Sequence, residues 1–407
     1  MLASTARCFS STAAAASKNV YIASYARTPI GSFRASLAAV PASQLGATAI
    51  KGAVERSGLK PNQVDDVYMG NVISAAAGQA PASQASIFAG LPATVPCTTV
   101  NKVCSSGMKT VMLAAGTIAL GHNNVVVAGG MESMSQVPYY LSRANSGYGN
   151  QNLEDGILKD GLTDVYHKIH MGNCAEDTAA KQNITREQQD EFGILSYKRS
   201  AAAHERGDLK KEIVPVVITD KRGKSVTVAE DEEFRRVDFA KFKDLKPAFQ
   251  KDGTVTAGNA STLNDGAAAL VLVGEEAVSK LSGKPLARVV GWADAQRPSI
   301  EFPIAPVDAV KKLLANANVK ISDVALWEFN EAFSAVVLAN AKILGLDIAK
   351  VNVNGGAVSL GHPIGASGAR IVGTLAYQLQ AHPSGTYGVA AICNGGGGAS
   401  AVLLQRL

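Results

Sequence analysis

The chain has 407 residues, and 39 basic against 34 acidic side chains give it a formal net charge of +5. Hydrophobic residues make up 47% and charged residues 18% of the sequence, a composition that excludes a disordered chain. The Cys residues are few and odd in number, which excludes a disulfide scaffold, and no apolar run is long enough to span a membrane. The modest charge, without a basic block or stripe, predicts an anionic small ligand and neither a nucleic-acid nor a membrane partner.

The N-terminal segment, residues 1–17, predicts a mitochondrial transit peptide. It contains Arg7 among many Ala, Ser and Thr residues, and the first acidic residue of the chain is Glu55. A basic, hydroxyl-rich and acid-poor composition is typical of such peptides. We therefore expect a protein of the mitochondrial matrix. An Ala-rich tail without meaning is the alternative interpretation.

The same order of helices and strands occurs twice along the chain. In each copy, helical apolar spacing alternates with a short apolar run that predicts a strand. The first copy has helices at 43–56 and 108–120 with strands at 64–71 and 125–128, and the second has helices at 307–315 and 369–380 with strands at 324–330 and 389–392. This pattern predicts an α/β fold of two duplicated halves with a site at their junction. Two unrelated α/β units are the alternative.

The region between the two copies is richer in charge and poorer in strand patterns, although a helix is predicted at 186–207. We interpret it as an insertion, because such segments often form lids or ligand-binding walls. The predicted units are an N-terminal half at 18–137 that is completed by about 254–284, a loop domain at 138–253, and a C-terminal half at 285–407.

Cys104 lies just before the helix of the first copy. The free N–H groups and the dipole at the start of a helix favour a thiolate, so we expect Cys104 to be a nucleophile with a lowered pKa. A small buried thiol is the alternative. His362 lies at the matching point of the second copy among Gly and other small residues, which predicts that it is the base or hydrogen-bond donor for Cys104.

A third turn, at Cys393 to Gly398, follows the next predicted strand. Its consecutive glycines predict free N–H groups that can hold an oxyanion. The phosphate-loop and dinucleotide-binding patterns are not matched, and no serine-hydrolase or zinc motif occurs in the sequence. Two thiols and one imidazole, each on a turn, favour acyl transfer with proton exchange at a carbon acid.

Four motifs in this order resemble those of the thiolases. They are Asn101–Gly107, Asn330–Phe333, Gly361–Gly365 and Cys393–Gly398, and the resemblance extends over roughly Val20 to Leu407. It implies the thiolase fold, in which two duplicated α/β halves pack as a layered αβαβα core with an inserted, coenzyme A-binding loop domain.

The resemblance also implies a role for each motif residue. Cys104 would be the acylated nucleophile, His362 would activate it, and Cys393 would exchange the proton at the α-carbon. Asn330 would hold a water that, with His362, stabilises an enolate or thioester oxygen. The N–H groups of Cys104 and Gly395 would form a second oxyanion hole. No covalent cofactor is implied, because coenzyme A acts as a substrate.

Further residues resemble those of the thiolases that act on acetoacetyl-CoA. The implied coenzyme A and substrate contacts are Tyr197, Arg236, Val237, Asp238, Lys241, Ser261, His170, Met171 and Phe302. The implied potassium ligands are Tyr197 and the carbonyl groups of Ala257, Gly258, Ala260 and Val358. Gly258 stands where the pattern has Ala, which should matter little if the backbone oxygen is the ligand. Surface charge is the alternative reading of Arg236 and Lys241.

The resemblance therefore implies an acetyl-CoA C-acetyltransferase that cleaves acetoacetyl-CoA and its 2-methyl derivative, and a homotetramer. A broad-range 3-ketoacyl-CoA thiolase is the main alternative. A ketoacyl synthase would normally have a second His in place of Cys393, and a non-catalytic lipid carrier would lack one of the three reactive side chains.

Overall fold

The computed structural model describes residues 18–145 and 147–407. The predicted transit segment at 1–17 lies outside the described residues. Within those two ranges, no helix has both the length and the apolar character that crossing a bilayer would require.

A mixed sheet forms the framework of the described part of the chain. Its order is β3-β2-β4-β5-β1-β6-β9-β8-β7, and the two-residue strand Gly31–Ser32 pairs with β5. The strands are β1 (Val20–Arg27), β2 (Asp66–Gly70), β3 (Cys97–Val100), β4 (Val125–Ser133), β5 (Asn264–Gly274), β6 (Ala287–Gln296), β7 (Val324–Phe329), β8 (Tyr387–Asn394) and β9 (Gly398–Gln405).

The sheet consists of two halves with the same connectivity. In the first half β1, β5 and β4 are antiparallel neighbours and β2 runs parallel to β4; in the second half β6, β9, β8 and β7 repeat that order and those directions. The halves meet where the first residues of β1 pair with those of β6. The predicted duplication is therefore confirmed.

Helices cover both outer faces and fill the space between the sheet halves. They are α1 (Ala42–Ser57), α2 (Pro81–Phe88), α3 (Ser106–Ala119), α4 (Met171–Lys181), α5 (Arg186–Glu205), α6 (Ala305–Ala317), α7 (Ser334–Leu344) and α8 (Ile364–Gln378). One buried core joins α3 and α8 to both sheet halves. A second core packs α1 and α2 on the first half, and a third packs α6 and α7 on the second. The predicted αβαβα layering is confirmed.

The central helices approach each other closely because small residues line their contact. A Cβ atom added to Gly107 would lie 2.7 Å from the amide nitrogen of Ala369, and one added to Gly368 would lie 2.3 Å from that of Met108. Larger residues would push the helices apart. This packing brings the first turns of α3 and α8 side by side, and Cys104 and His362 lie just before them.

The chain between β4 and β5 has little sheet structure apart from the hairpin Val216–Thr219 with Ser225–Val228. It is fastened to β1 by Arg27, which forms buried ion pairs with Glu212 at 2.8 Å and Asp231 at 2.6 Å. The other short elements in this region include the strands Tyr139–Tyr140, Glu154–Asp155, Thr163–Asp164 and Ile169–His170 and the helical turns Ile157–Leu162 and Phe239–Asp244. Outside it, short helical turns are found at Glu275–Val278, Ser299–Ile304 and Ala357–Leu360.

Candidate active site

Cys104 lies on a tight turn between β3 and α3. The preceding residue, Val103, has a φ of +47°, an unusual value for a β-branched residue. The side chain of Asn101 stabilises the turn by accepting the N–H of Val103 at 3.0 Å. On the other side, Ser105 Oγ donates to Asn394 Oδ1 at 2.8 Å, which connects the turn to the strand end that carries Cys393.

Cys104 is only partly buried, yet its pKa is raised and not lowered as its place before a helix predicts. Burial raises the pKa of Cys104 to about 11, although the N–H groups of Gly395 and of Cys104 itself oppose this. A helix N-terminus contributes roughly 0.3–1 kcal/mol, less than about one pKa unit, so the loss of hydration outweighs it. The nucleophile must therefore be deprotonated during the reaction.

One ring nitrogen of His362 is left with a free lone pair. Its Nδ1 lies 2.6 Å from Ser367 Oγ, and the Ser367 hydroxyl donates to the carbonyl of Pro363 at 3.0 Å. Because the hydroxyl hydrogen is used, Nδ1 is assigned as the donor, and the lone pair is on Nε2. The amide of Asn330 lies 3.4 Å from Nε2, on the same side.

His362 is also held in its neutral form. Burial and the positive charge of Arg370 lower the pKa of His362 to about 3. Its backbone N–H donates to Asn264 Oδ1 at 2.9 Å. The preceding Gly361 has a φ of +106°, and a Cβ atom there would lie 2.4 Å from Asn264 Cγ, so this position requires glycine.

Cys393 is the last residue but one of β8 and lies beside the first thiol. It is 1% exposed, and burial followed by the negative charge of a Cys104 thiolate raises its pKa well above the usual value for a thiol. The next residue but one, Gly395, donates its N–H to Cys104, so both sulfurs share one site. Gly396 and Gly397 have φ values of +84° and +95°, which allow the backbone to turn sharply there.

Asn330 follows β7 at the opposite wall of the site. Its backbone N–H donates to Ala391 on β8 at 3.0 Å, so its position is fixed by the sheet. Its side-chain oxygen is buried and has no hydrogen-bond partner within the described residues. A buried amide oxygen of this kind can accept a hydrogen bond from a water molecule.

A cavity of about 600 Å³ leads to His362. Of the predicted coenzyme A contacts, His170, Arg236 and Ser261 line it. The other lining residues are Phe33, Met134, Leu158, Leu162, Glu233, Phe249, Thr262, Leu263, Phe333 and Ile364. Largely apolar walls with a few polar groups and an arginine at one side suit a thioester attached to an anionic carrier.

The remaining predicted contacts lie outside this cavity wall. Met171 and Phe302 pack with Cys393 in one apolar cluster, so they border the second thiol. Asp238 and Lys241 form an exposed ion pair at 3.2 Å, and Val237 packs beside the buried ring of Tyr197. The structure does not bring these last three residues to the cavity.

Two of the predicted potassium ligands, Gly258 and Val358, lie near Tyr197. Val358 packs with Tyr197 in one buried cluster, and the carbonyl oxygen of Gly258 lies against Gly193, one helical turn before Tyr197 on α5. The carbonyl groups of Ala257, Gly258, Ala260 and Val358 accept no hydrogen bond from any described residue. Burial, Glu233 and Glu331 raise the pKa of Tyr197 to about 12.

Three buried polar residues of the site were missed from sequence: Glu132, Asn264 and Ser367. Glu132 gave a usable signal, because it is the one acidic residue in the otherwise apolar strand β4. Asn264 and Ser367 gave none, since Asn and Ser are common at strand and helix ends. Their importance follows from the contacts with His362.

Comparisons with known proteins agree with this geometry. Residues 20–276 match the family described as "Thiolase, N-terminal domain", and residues 283–406 match "Thiolase, C-terminal domain". The chain is 61% identical over 389 residues to "Acetyl-CoA acetyltransferase A, mitochondrial" from Xenopus laevis, covering 95% of this chain and 92% of that protein. It is 58% identical over 391 residues to "Acetyl-CoA acetyltransferase, mitochondrial" from Homo sapiens, covering 96% of this chain and 91% of that protein.

Solved structures show the same fold. The Acat5 thiolase from Ascaris suum in complex with coenzyme A superposes with a TM-score of 0.90 at 47% identity, and covers 96% of this chain and 100% of that chain. The Bacillus anthracis acetyl-CoA acetyltransferase superposes with a TM-score of 0.92 at 42% identity, with the same coverage of both chains. With both of its halves matched and its relatives aligned over almost their whole length, the chain belongs to the thiolase family.

Proposed function

We propose that this protein is an acetyl-CoA C-acetyltransferase, which cleaves acetoacetyl-CoA with coenzyme A or condenses two molecules of acetyl-CoA. The observation that carries the proposal is the arrangement of two neutral thiols, Cys104 and Cys393, around one neutral imidazole, His362. The names of the most similar relatives and the coenzyme A complex of the Ascaris suum thiolase support it.

Cleavage begins at the first thiol. His362 Nε2 takes the proton of Cys104 as the sulfur attacks the 3-keto carbon of acetoacetyl-CoA. The N–H groups of Cys104 and Gly395 lie at the sulfur, where they can stabilise the oxyanion that forms. The bond between C2 and C3 then breaks, which leaves acetyl-Cys104 and the enolate of acetyl-CoA.

The second thiol completes the cycle. Cys393 protonates C2 of the enolate, and its thiolate then takes the proton of an incoming coenzyme A thiol. The resulting coenzyme A thiolate attacks acetyl-Cys104, a second acetyl-CoA is released, and the freed Cys104 thiolate takes back its proton from His362, which returns the site to its first state. A thiolate with a raised pKa is a stronger base, which suits the abstraction of an α-proton in the reverse reaction.

The enolate oxygen needs its own donors. The buried side-chain oxygen of Asn330 can hold a water whose hydrogen points into the site, beside Nε2 of His362. After it has taken the proton of Cys104, His362 donates a hydrogen bond from Nε2 to the enolate oxygen. The charge that develops on the substrate therefore meets two donors that are already in place.

The apolar cluster of Met171, Phe302 and Cys393 favours a short acyl chain. The glycines that follow Cys393 in the sequence carry no side chain that would clash with a methyl group on the α-carbon, so the 2-methyl derivative should also be cleaved. We expect kcat/KM for acetoacetyl-CoA to exceed that for a 3-ketohexadecanoyl substrate by about tenfold or more. Comparable values would identify a broad-range 3-ketoacyl-CoA thiolase, and no cleavage of either would refute the proposal.

We also propose a potassium ion beside Tyr197. The free carbonyl groups of Ala257, Gly258, Ala260 and Val358 suit a hard monovalent cation, and no cluster of three or more acidic, His or Cys side chains within the described residues offers a different metal site. A bound cation would fix the loop that leads to Ser261 on the cavity wall. Replacing potassium by sodium at equal ionic strength should raise KM or lower kcat, and unchanged constants would remove the ion from the account.

For localisation we propose the mitochondrial matrix, with residues 1–17 as a cleaved leader. The mitochondrial names of the relatives support the compartment. A variant that starts at Asn19 should retain full activity in vitro but fail to enter isolated mitochondria. Import of the shortened chain, or loss of its activity, would contradict the proposal.

A homotetramer is our proposal for the assembly. Strand β3 lies at the end of the described sheet, and the neighbouring helix α2 exposes Ile87 and Phe88, which are 50% and 59% accessible. An unpaired sheet edge beside apolar side chains suits pairing with a second subunit. Light scattering during gel filtration should give four times the chain mass; a monomer would contradict the proposal.

A further inference from the structure

Glu132 is a buried carboxylate on β4, behind the two catalytic turns. It is 0% exposed. Its Oε1 accepts from Asn71 Nδ2 at 2.8 Å and from the N–H of Ile73 at 3.2 Å, and its Oε2 accepts from the N–H of Val72 at 3.1 Å and of Gly365 at 2.9 Å. With two donors on each oxygen, the four lone pairs of the ionised form are all used. These N–H groups oppose the effect of burial, which raises the pKa of Glu132 to about 7.

One of these donors belongs to the turn that carries His362. Gly365 is at the start of α8, and a Cβ atom there would lie 2.6 Å from Glu132 Oε2. The contact is therefore tight and leaves no space for the turn to shift toward the carboxylate. Two residues farther on, Ser367 fixes the tautomer of His362.

A second connection leads from Glu132 to the other turn. The carbonyl of Val72, whose N–H is bound to Glu132, accepts the amide of Asn101 at 3.1 Å. The side-chain oxygen of Asn101 in turn accepts the N–H of Val103 at 3.0 Å. Val103 has a positive φ, a strained conformation for a β-branched residue, and its surroundings must hold it there. The next residue is Cys104.

We propose that Glu132 is a positioning residue for the acylation step, because one carboxylate fixes the His362 turn directly and the Cys104 turn through Asn101. The inference rests on the proposed function only for its predictions about kcat and KM, because labelling of Cys104 does not require turnover. Glu132 touches no reacting atom. It sets the separation between the imidazole and the thiol, on which proton transfer depends.

The test is Glu132→Gln, which keeps the shape of the side chain. Its NH2 group replaces one acceptor oxygen, so two of the four N–H donors lose their acceptor. Removing the negative charge of Glu132, which raises the pKa of Cys104, would by itself favour the thiolate and faster labelling. If positioning dominates, the rate constant for iodoacetamide labelling of Cys104, measured by peptide mass spectrometry, should nevertheless fall about tenfold or more. We expect kcat for thiolysis to fall by a similar factor while KM for coenzyme A changes less than about threefold, since the cavity contacts do not involve Glu132.

Glu176→Gln is the matched control. Glu176 is also a buried carboxylate held by backbone N–H groups, those of Thr254 at 2.8 Å and Val255 at 2.9 Å, but it contacts neither catalytic turn. It should lower the melting temperature while labelling of Cys104 stays within about twofold of the unsubstituted enzyme. An equal loss of labelling in both variants would indicate general destabilisation and overturn the proposal.

Unchanged labelling and kcat in a folded Glu132→Gln variant would overturn it as well. If that variant does not fold, Asn101→Ala removes the connection from Val72 to Val103 and leaves Glu132 in place. It should still slow labelling of Cys104 about fivefold or more. Normal labelling would refute the connection through Asn101 and the proposal with it. An unsubstituted enzyme that labels at Cys104 but does not cleave acetoacetyl-CoA would refute the proposed function instead.

Discussion

Replacing Ser367 by Ala should slow acetylation of Cys104. The change leaves the Nδ1–H of His362 without the acceptor that lies at 2.6 Å. At 5% exposure the ring has little access to solvent that could replace it. The proton then moves to Nε2, where Asn330 has a free amide oxygen to accept it after rotating, and the base for Cys104 is lost.

The magnitude follows from the cost of an unpaired buried donor, roughly 1–3 kcal/mol, which corresponds to a decrease of about five- to 150-fold in the acylation rate. Rapid-quench mass spectrometry of acetyl-Cys104 measures that rate directly. Ser24→Ala is the control, because Ser24 is equally buried and donates to Ala53 at 2.6 Å, away from the site. Acylation at the unsubstituted rate in Ser367→Ala would refute the assigned tautomer.

Three further predictions concern the same site. Because burial raises the pKa of Cys104 to about 11, its alkylation rate should increase about tenfold per unit from pH 7 to 10; a plateau below pH 8 would contradict this. Gly361→Ala should cost about 100-fold or more in kcat, since the new Cβ would displace Asn264 and with it His362; near-normal kcat would show that the turn tolerates the shift. Phe302→Ala should destabilise the fold by about 3–5 kcal/mol and reduce the ratio of kcat/KM for short substrates to kcat/KM for long ones. An unchanged ratio would place the acyl group elsewhere.

The sequence pattern predicted the element order well because periodicity reports burial. The helix expected at 307–315 is Ala305–Ala317, and the strand expected at 324–330 is Val324–Phe329. The helix expected at 369–380 begins earlier, at Ile364. Its first turn is rich in Gly and Ser, which are poor helix formers, and packing against α3 requires those small residues. Tertiary contacts, which no local pattern contains, decide that boundary.

The protonation state of the site was not accessible from local sequence. The position of Cys104 before α3 favours a thiolate, but the partly buried side chain packs against a core that contains residues from the second half of the chain, and the loss of hydration raises its pKa. The same holds for Glu132 and Asn264, which meet the His362 turn only after the two halves have packed. Motif spacing predicted the reactive groups, whereas their pKa values depend on long-range packing. The roles predicted for the catalytic and binding residues stay predictions, and Val237, Asp238 and Lys241 lie outside the cavity wall.

The most direct test of the account is the site of acetylation in the unsubstituted enzyme. After brief incubation with acetyl-CoA and acid quenching, peptide mass spectrometry should find one acetyl group on Cys104 and none on Cys393. Added coenzyme A should remove that group and regenerate acetyl-CoA. An acetyl group on Cys393, or a stable acetyl-Cys104 that coenzyme A does not discharge, would contradict the assigned roles of the two thiols.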